Sequence, residues 1–278
     1  MYIRVGHEFS LSFLQPTAMV LMLRIHPSRM GTIHKTENFE INPPVMLEKY
    51  FDSYENRCDR IVAPAGRVTF FYDAIVQDSG QPDPQVLSAP QHEVQDLPNE
   101  ALLFLLPSRY CEVDSELKKV ADELSGHAAP GWSRVQAICD YVHEYLKFDY
   151  MQARANRTAL EAHREGVGVC RDFTHLAITL CRIMNIPARY CTGYLGDIQS
   201  PVIPPMDFSA WFEVYLGNKW NIFDARNNTP RVGRVLMARG RDAADVALTT
   251  TFGFNELQEF KVWAYELSRD QELAEGIV

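Results

Sequence analysis

Apolar and polar residues alternate along the first stretch of the chain. Ile3, Val5, Phe9, Leu11 and Phe13 are set against Arg4, Gly6, Glu8, Ser10 and Ser12. A strand with one buried face produces that period of two. His7 falls on the apolar phase and reads as a core or edge histidine. Ala18–Ile25 is a second run, apolar on both faces. Phe39–Ile41, Tyr50–Tyr54, Arg60–Ala63 and Arg67–Val76 follow, separated by Pro, Gly and Asn. Short strands so punctuated predict antiparallel sheets packed as a sandwich. Gln77 to Asn99 contains Pro82, Pro84, Pro90 and Pro98 among polar residues and reads as a linker. The expected division is a β-rich domain over 1–90 and a second domain over 91–278.

Beyond the linker the period becomes helical. Asp114 is a candidate N-cap for a helix through Leu124, with Gly126 as its stop. Trp132, Val135, Ile138, Cys139, Val142, Tyr145 and Leu146 step by three and four and mark one buried helix face. Cys139 and, on a later helix, Cys181 read as small core hydrophobes. Ala188–Tyr194, Ala210–Leu216 and Lys219–Ala225 read as strands, the last two joined by Gly217-Asn218, a two-residue hairpin turn. That turn sets a register in which Leu216 faces Lys219 and Trp211 faces Asp224. Position 209 then lies diagonal to Asp224, at a spacing of about 7–8 Å.

Composition narrows the class. The chain has 278 residues, enough for roughly two domains, and is 46% hydrophobic and 23% charged. Such a chain builds a core without staples and is neither disordered nor low in complexity. Its net charge of −9 and lack of a basic stripe argue against a nucleic-acid partner. No apolar run reaches the ~20 residues of a membrane helix, and no signal peptide is evident. The six cysteines include no C-x-x-C pair, which leaves reduced thiols in a cytoplasmic protein as the expectation.

Cys170 stands apart from the other five. It follows Gly166-Val167-Gly168-Val169 and precedes Phe173, Leu176, Ala177, Leu180 and Met184, a helical apolar stripe. A cysteine at a helix N-terminus meets unpaired N–H groups and the positive end of the dipole, which favour a thiolate and an oxyanion. The glycines permit close approach of backbone and substrate. An imidazole at 209 would bridge Cys170 and Asp224 into a thiol triad.

The segments G-V-C-R-D-F-T-H-L, I-P-A-R-Y-C-T-G-Y, D-F-S-A-W-F-E-V-Y-L and W-N-I-F-D-A-R resemble the core motifs of the transglutaminase-like superfamily. They are most similar to its bacterial transglutaminase-like cysteine peptidases, as are L-P-S-R-Y-C-E-V-D and G-R-D-A-A-D-V-A. The resemblance covers roughly 100–260, with a looser likeness of the N-terminal strands to the β-rich domain that often precedes the core. It implies an α+β fold: a β-rich N-terminal domain, then a papain-like core of helices packed on an antiparallel sheet. It also implies attack of a cysteine on a peptide or protein amide through a thioester. No EF-hand loop or matching histidines accompany Asp242 and Asp245, so no cofactor and no metal are expected. Cys170 matches the nucleophile and Asp224 the orienting acid. The family motif D-F-H-A-W, however, reads Asp207-Phe208-Ser209-Ala210-Trp211 here, so Ser209 stands where the catalytic histidine is expected.

A serine hydroxyl is no base near neutral pH, and loss of a positioned base costs ~10²–10⁴-fold. His175, five residues beyond Cys170, points away around the helix. His163 and His143 lie on other segments. Three accounts of Ser209 are open: a histidine replaced in this copy, a natural descendant that binds peptides without cleaving them, and slow thiol chemistry with water or substrate as base. Tyr150 and Trp211 are candidate substrate-contacting residues, with buried aromatic packing as the alternative for each. Arg171-Asp172 reads as a structural ion pair, and Asp242 and Asp245 as capping or solvated groups.

Overall fold

The computed structural model describes residues 1–35, 37–200 and 206–277. Among them the chain forms three four-stranded antiparallel sheets and a short parallel pair, with five α-helices between residues 99 and 183 and a last short one at Arg269–Ala274. In the first sheet Tyr2–Phe13 is flanked by Asn255–Glu266 and Gly66–Gln77, and Gly66–Gln77 carries Asn38–Asn42 on its other side. In the second, Thr17–Leu21 lies between Thr249–Thr251 and Arg57–Ala63, and Glu48–Phe51 closes the edge. Phe9, Leu11, Val68 and Phe70 from one sheet meet Met19, Leu21, Ile61 and Ala63 from the other in a common core. This is the sandwich that the alternating pattern implies.

The chain crosses between its two halves more than a cut near residue 90 allows. Both 249–251 and 255–266 return to pair with N-terminal strands. We retain the division near residue 90 as a proposal for the folding units, with these two strands assigned to the first. The stretch expected to be a linker is strapped to the core. Asp83 accepts from the Arg231 N–H and the Arg234 guanidinium, and the Pro90 carbonyl accepts from the Gly217 N–H.

The third sheet has the order Lys219–Phe223, Ser209–Leu216, Ala188–Leu195, Arg234–Gly240. Its hairpin register pairs Leu216 with Lys219 and Phe212 with Phe223, as the Gly217-Asn218 turn dictates. One face carries the helix Cys170–Ile183, whose Phe173, Leu176, Ala177 and Leu180 pack against Ala210, Phe212 and Val214. Leu117–His127, Trp132–Tyr145 and Ala159–Glu165 pack around that helix. The opposite face of the sheet meets the sandwich through Tyr194, Val235 and Met237 against Ile3, Val5 and Tyr72. The architecture is α+β, with helices on an antiparallel sheet. No helix of the described residues is long and apolar enough to cross a membrane.

Two local expectations differ in detail. The helix expected from Asp114 begins at Leu117 without a side-chain cap, and it runs through Gly126 to His127. Pro130 lies just beyond and sets its end. His7 is fully buried between the two layers, with Nδ1 2.8 Å from the Tyr194 hydroxyl, and burial holds its pKa down at about 3.

Candidate active site

The helix Ala159–Glu165 ends at Gly166, whose φ of 66° is the left-handed conformation that glycine tolerates. Two residues on, Gly168 has a different need. A Cβ there would lie 2.6 Å from the Asp172 Cβ, so the glycine makes room for Asp172 rather than for a substrate. Asp172 is buried at the first turn of the next helix and accepts from the Val169 N–H at 2.9 Å and from Arg157 at 3.0 Å. Arg171, the expected partner, is 3.9 Å away, so Arg157 is the principal counter-ion. These contacts fix the turn that presents Cys170 as the first helical residue.

Cys170 opens onto a cavity of about 260 Å³. Phe148 and Tyr150 line one part of it, and Met206, Asp207, Phe208 and Ser209 another. Arg226, Asn227, Arg231, Leu195 and Asp197 complete the wall. Tyr150 therefore sits where a cleft residue was expected, 45% exposed and edge-on to Phe148. Trp211 does not. It is buried against Cys191, Leu236 and Ile222 with Arg234 over its ring, two residues further along the strand face that Ser209 shares.

Asp224 sits just past the end of its strand and is 6% exposed. Its Oδ1 accepts from the Arg226 and Asn227 N–H groups, and its Oδ2 from Asn227 Nδ2 at 2.7 Å and Arg234 at 2.8 Å. Burial opposes ionisation, but Arg234 and the Asn227 bonds hold the carboxyl below its ordinary pKa. Asp224 faces a separate cavity of about 210 Å³ beside Cys139 and Asn228, rather than the one at Cys170. Among the described residues no hydrogen bond joins Ser209 to Asp224. Asn227 is the side chain that both holds Asp224 and lines the Cys170 cavity.

The thiol's electrostatics reverse the expectation drawn from the helix terminus. Burial and the neighbouring Asp207 push the Cys170 thiol up to about 11. The N–H groups of Ala210 and Arg171 pull the other way without prevailing. The helix end stabilises a thiolate only within its first turn, whereas desolvation and a like charge act against it at the same atom. Among the described residues Asp207 accepts only the Phe208 N–H, at 2.7 Å, and burial raises its own pKa.

The histidines do not supply a base. None lines the cavity among the described residues. His175 is fully buried, stacked on Tyr110, and accepts the Ala243 N–H at 3.1 Å. His163 bonds the Tyr141 hydroxyl, and His143 the Arg226 carbonyl. Asp242 caps backbone N–H groups of Tyr110 and Ala244, and Asp245 holds Arg241.

The model of the transglutaminase-like superfamily matches residues 118–225, which include Cys170, Ser209 and Asp224. Over nearly its whole length the chain is similar to a crystal structure from Cytophaga hutchinsonii named as a "Putative Cysteine Protease". The two share 31% identity over 97% of this chain and 92% of that one, with a TM-score of 0.81. The chain belongs to the transglutaminase-like superfamily. Two uncharacterized mycobacterial proteins are also similar. One, from Mycobacterium leprae, is 28% identical over 147 residues, 51% of this chain and 52% of the relative. The other, from Mycobacterium tuberculosis, is 25% identical over 206 residues, 67% of this chain and 65% of the relative. The match therefore spans about half to two thirds of the curated relatives.

Sequence reasoning missed four residues of the site. Asp207 and Asn227 lie within three residues of Ser209 and Asp224, so proximity to the motif was the available signal. Arg226 and Arg231 face the cavity only because the chain turns back after Asp224.

Proposed function

We propose that this protein performs thiol-dependent cleavage or acyl transfer on a peptide or protein amide. The observation that carries the reading is Cys170 on the first turn of a buried helix, facing a cavity with two N–H groups at its sulfur. The thiolate attacks the carbonyl carbon and the C–N bond breaks. The amine leaves with a proton, and water or an amine then resolves the thioester. The N–H groups of Arg171 and Ala210 are positioned to receive the oxyanion, and Tyr150 borders the substrate. Asp224 is the orienting acid and Ser209 holds the base position of the family motif. No cofactor enters the reaction. Six unpaired thiols accord with a reducing compartment, and we propose the cytoplasm.

With the thiol pushed up to about 11 and no imidazole lining the cavity among the described residues, we expect slow turnover from the chain as it stands. A peptide-binding protein on the same fold is the second reading, supported by that same thiol. Histidine placed at 209 or at 227, each in turn, separates the two. We expect Asn227→His to restore more turnover of peptide amides than Ser209→His, because of these two side chains it is Asn227 that bonds Asp224. A gain of ~10²-fold or more, abolished by Cys170→Ala, supports the enzyme. Correctly folded variants with no turnover of any peptide amide would leave the binding reading in its place.

A further inference from the structure

The cavity at Cys170 carries four charged side chains, two of each sign: Asp197, Asp207, Arg226 and Arg231. Three of them are engaged within the wall. Arg231 binds Asp197 at 3.2 Å and Asn227 at 2.9 Å. Arg226 lies over the Phe148 ring at 4.1 Å and reaches Asn227 at 3.3 Å. Asp207 differs. Its one hydrogen bond is from the next residue's N–H, and among the described residues it joins no ion pair. A half-buried carboxylate without a counter-ion, facing a cavity, gains by pairing with a cation that enters it.

We propose that Asp207 is the subsite for a cationic group of the substrate, an ammonium or guanidinium, held beside the amide that Cys170 attacks. The proposal rests on Cys170 as the nucleophile and adds the substrate class. Its consequence reaches the sulfur. Asp207 is the largest electrostatic influence against the thiolate, so a cation that neutralises it also favours ionisation of Cys170. A cationic substrate is thus bound and, in binding, makes the thiol more reactive. A neutral or acidic one meets a thiol that stays protonated.

Labelling of Cys170 by thiol reagents of matched size and different charge tests this without any turnover. The probes are a cationic aminoethyl thiosulfonate, its anionic sulfonatoethyl counterpart and neutral iodoacetamide. They are applied to the full chain and to Asp207→Asn, with Cys170→Ala as the blank. In the native chain the cationic reagent should react about tenfold faster than the anionic one. In Asp207→Asn that ratio should collapse towards one, while iodoacetamide labels about threefold faster or more because the opposing charge is gone. A purely structural role for Asp207 would move all three rates together. Glu123→Gln, an exposed charge elsewhere, should leave the ratio unchanged. Equal rates for the charged reagents in the native chain overturn the proposal, and that result needs no variant to fold. A ratio that survives Asp207→Asn also overturns it. Failure of amide cleavage with the labelling ratio intact removes the proposed enzyme and leaves the cationic subsite standing.

Discussion

Arg234 is the buried cation on which Asp224 depends, and replacing it by Met isolates that dependence. The guanidinium donates to Asp224 at 2.8 Å and to Asp83 at 2.8 Å, and the three side chains are 4%, 3% and 11% exposed. Methionine fills much of the volume but leaves two carboxylates facing each other without a counter-ion. Removing one partner of a buried pair costs about 3–5 kcal/mol. At roughly 2–4 °C per kcal/mol for a chain of this size, the melting temperature should fall by roughly 6–20 °C at pH 7.

The pH dependence identifies the cause. In the native protein Asp224 titrates below its ordinary value, so its stabilisation is present above the unfolded pKa and is lost as pH falls through the folded one. In Arg234→Met, burial raises that pKa, and the penalty disappears as acid protonates the group. The gap between the two proteins should therefore narrow as pH falls from 7 to 4. Urea denaturation across that range measures it. A deficit below about 1 kcal/mol at pH 7, or one that does not change with pH, would refute the assignment of Arg234 as the counter-ion of Asp224.

Three further outcomes follow from the same structure. His7→Gln should flatten the acid limb of stability. The native imidazole titrates at about 3, so the unfolded chain takes up the proton first, and stability is lost as pH falls below 6.5, by about 2 kcal/mol between pH 6.5 and 5; denaturation at those two pH values checks it. Gly193→Ala places a Cβ 2.1 Å from the Val235 carbonyl oxygen, between the strands bearing Ser209 and Leu236, and should cost about 1–3 kcal/mol by thermal melting. Iodoacetamide labelling of native Cys170 should keep rising with pH from 7 towards 11, whereas Asn227→His should move most of that rise to lower pH.

The core hairpin was legible because a two-residue turn leaves no freedom in register, and Leu216 faces Lys219 as the turn requires. Cys170 was legible because a glycine-containing loop followed by an apolar stripe marks the start of a buried helix. The return of 255–266 to the first sheet was not. Opposite Tyr2–Phe13 the register shifts between Ser10 and Leu11, so Leu257 and Phe260 share that partner strand at a spacing of three, which breaks the period of two. The sign of the Cys170 perturbation was also hidden. The helix terminus is a local feature of the sequence, whereas Asp207 reaches the sulfur from a segment 37 residues away. The Asn227 link to Asp224 arises from the turn after the strand, which no periodicity records.

Acylation of Cys170 by an amide or ester substrate is the step on which the proposed chemistry rests. Intact-mass measurement of the protein quenched in acid during reaction with an activated ester of a lysine-containing peptide tests it directly. One acyl group per chain is expected, located on the Cys170 peptide, released by hydroxylamine and absent from Cys170→Ala. An acyl group that persists in Cys170→Ala, or peptide cleavage that continues without Cys170, would contradict it.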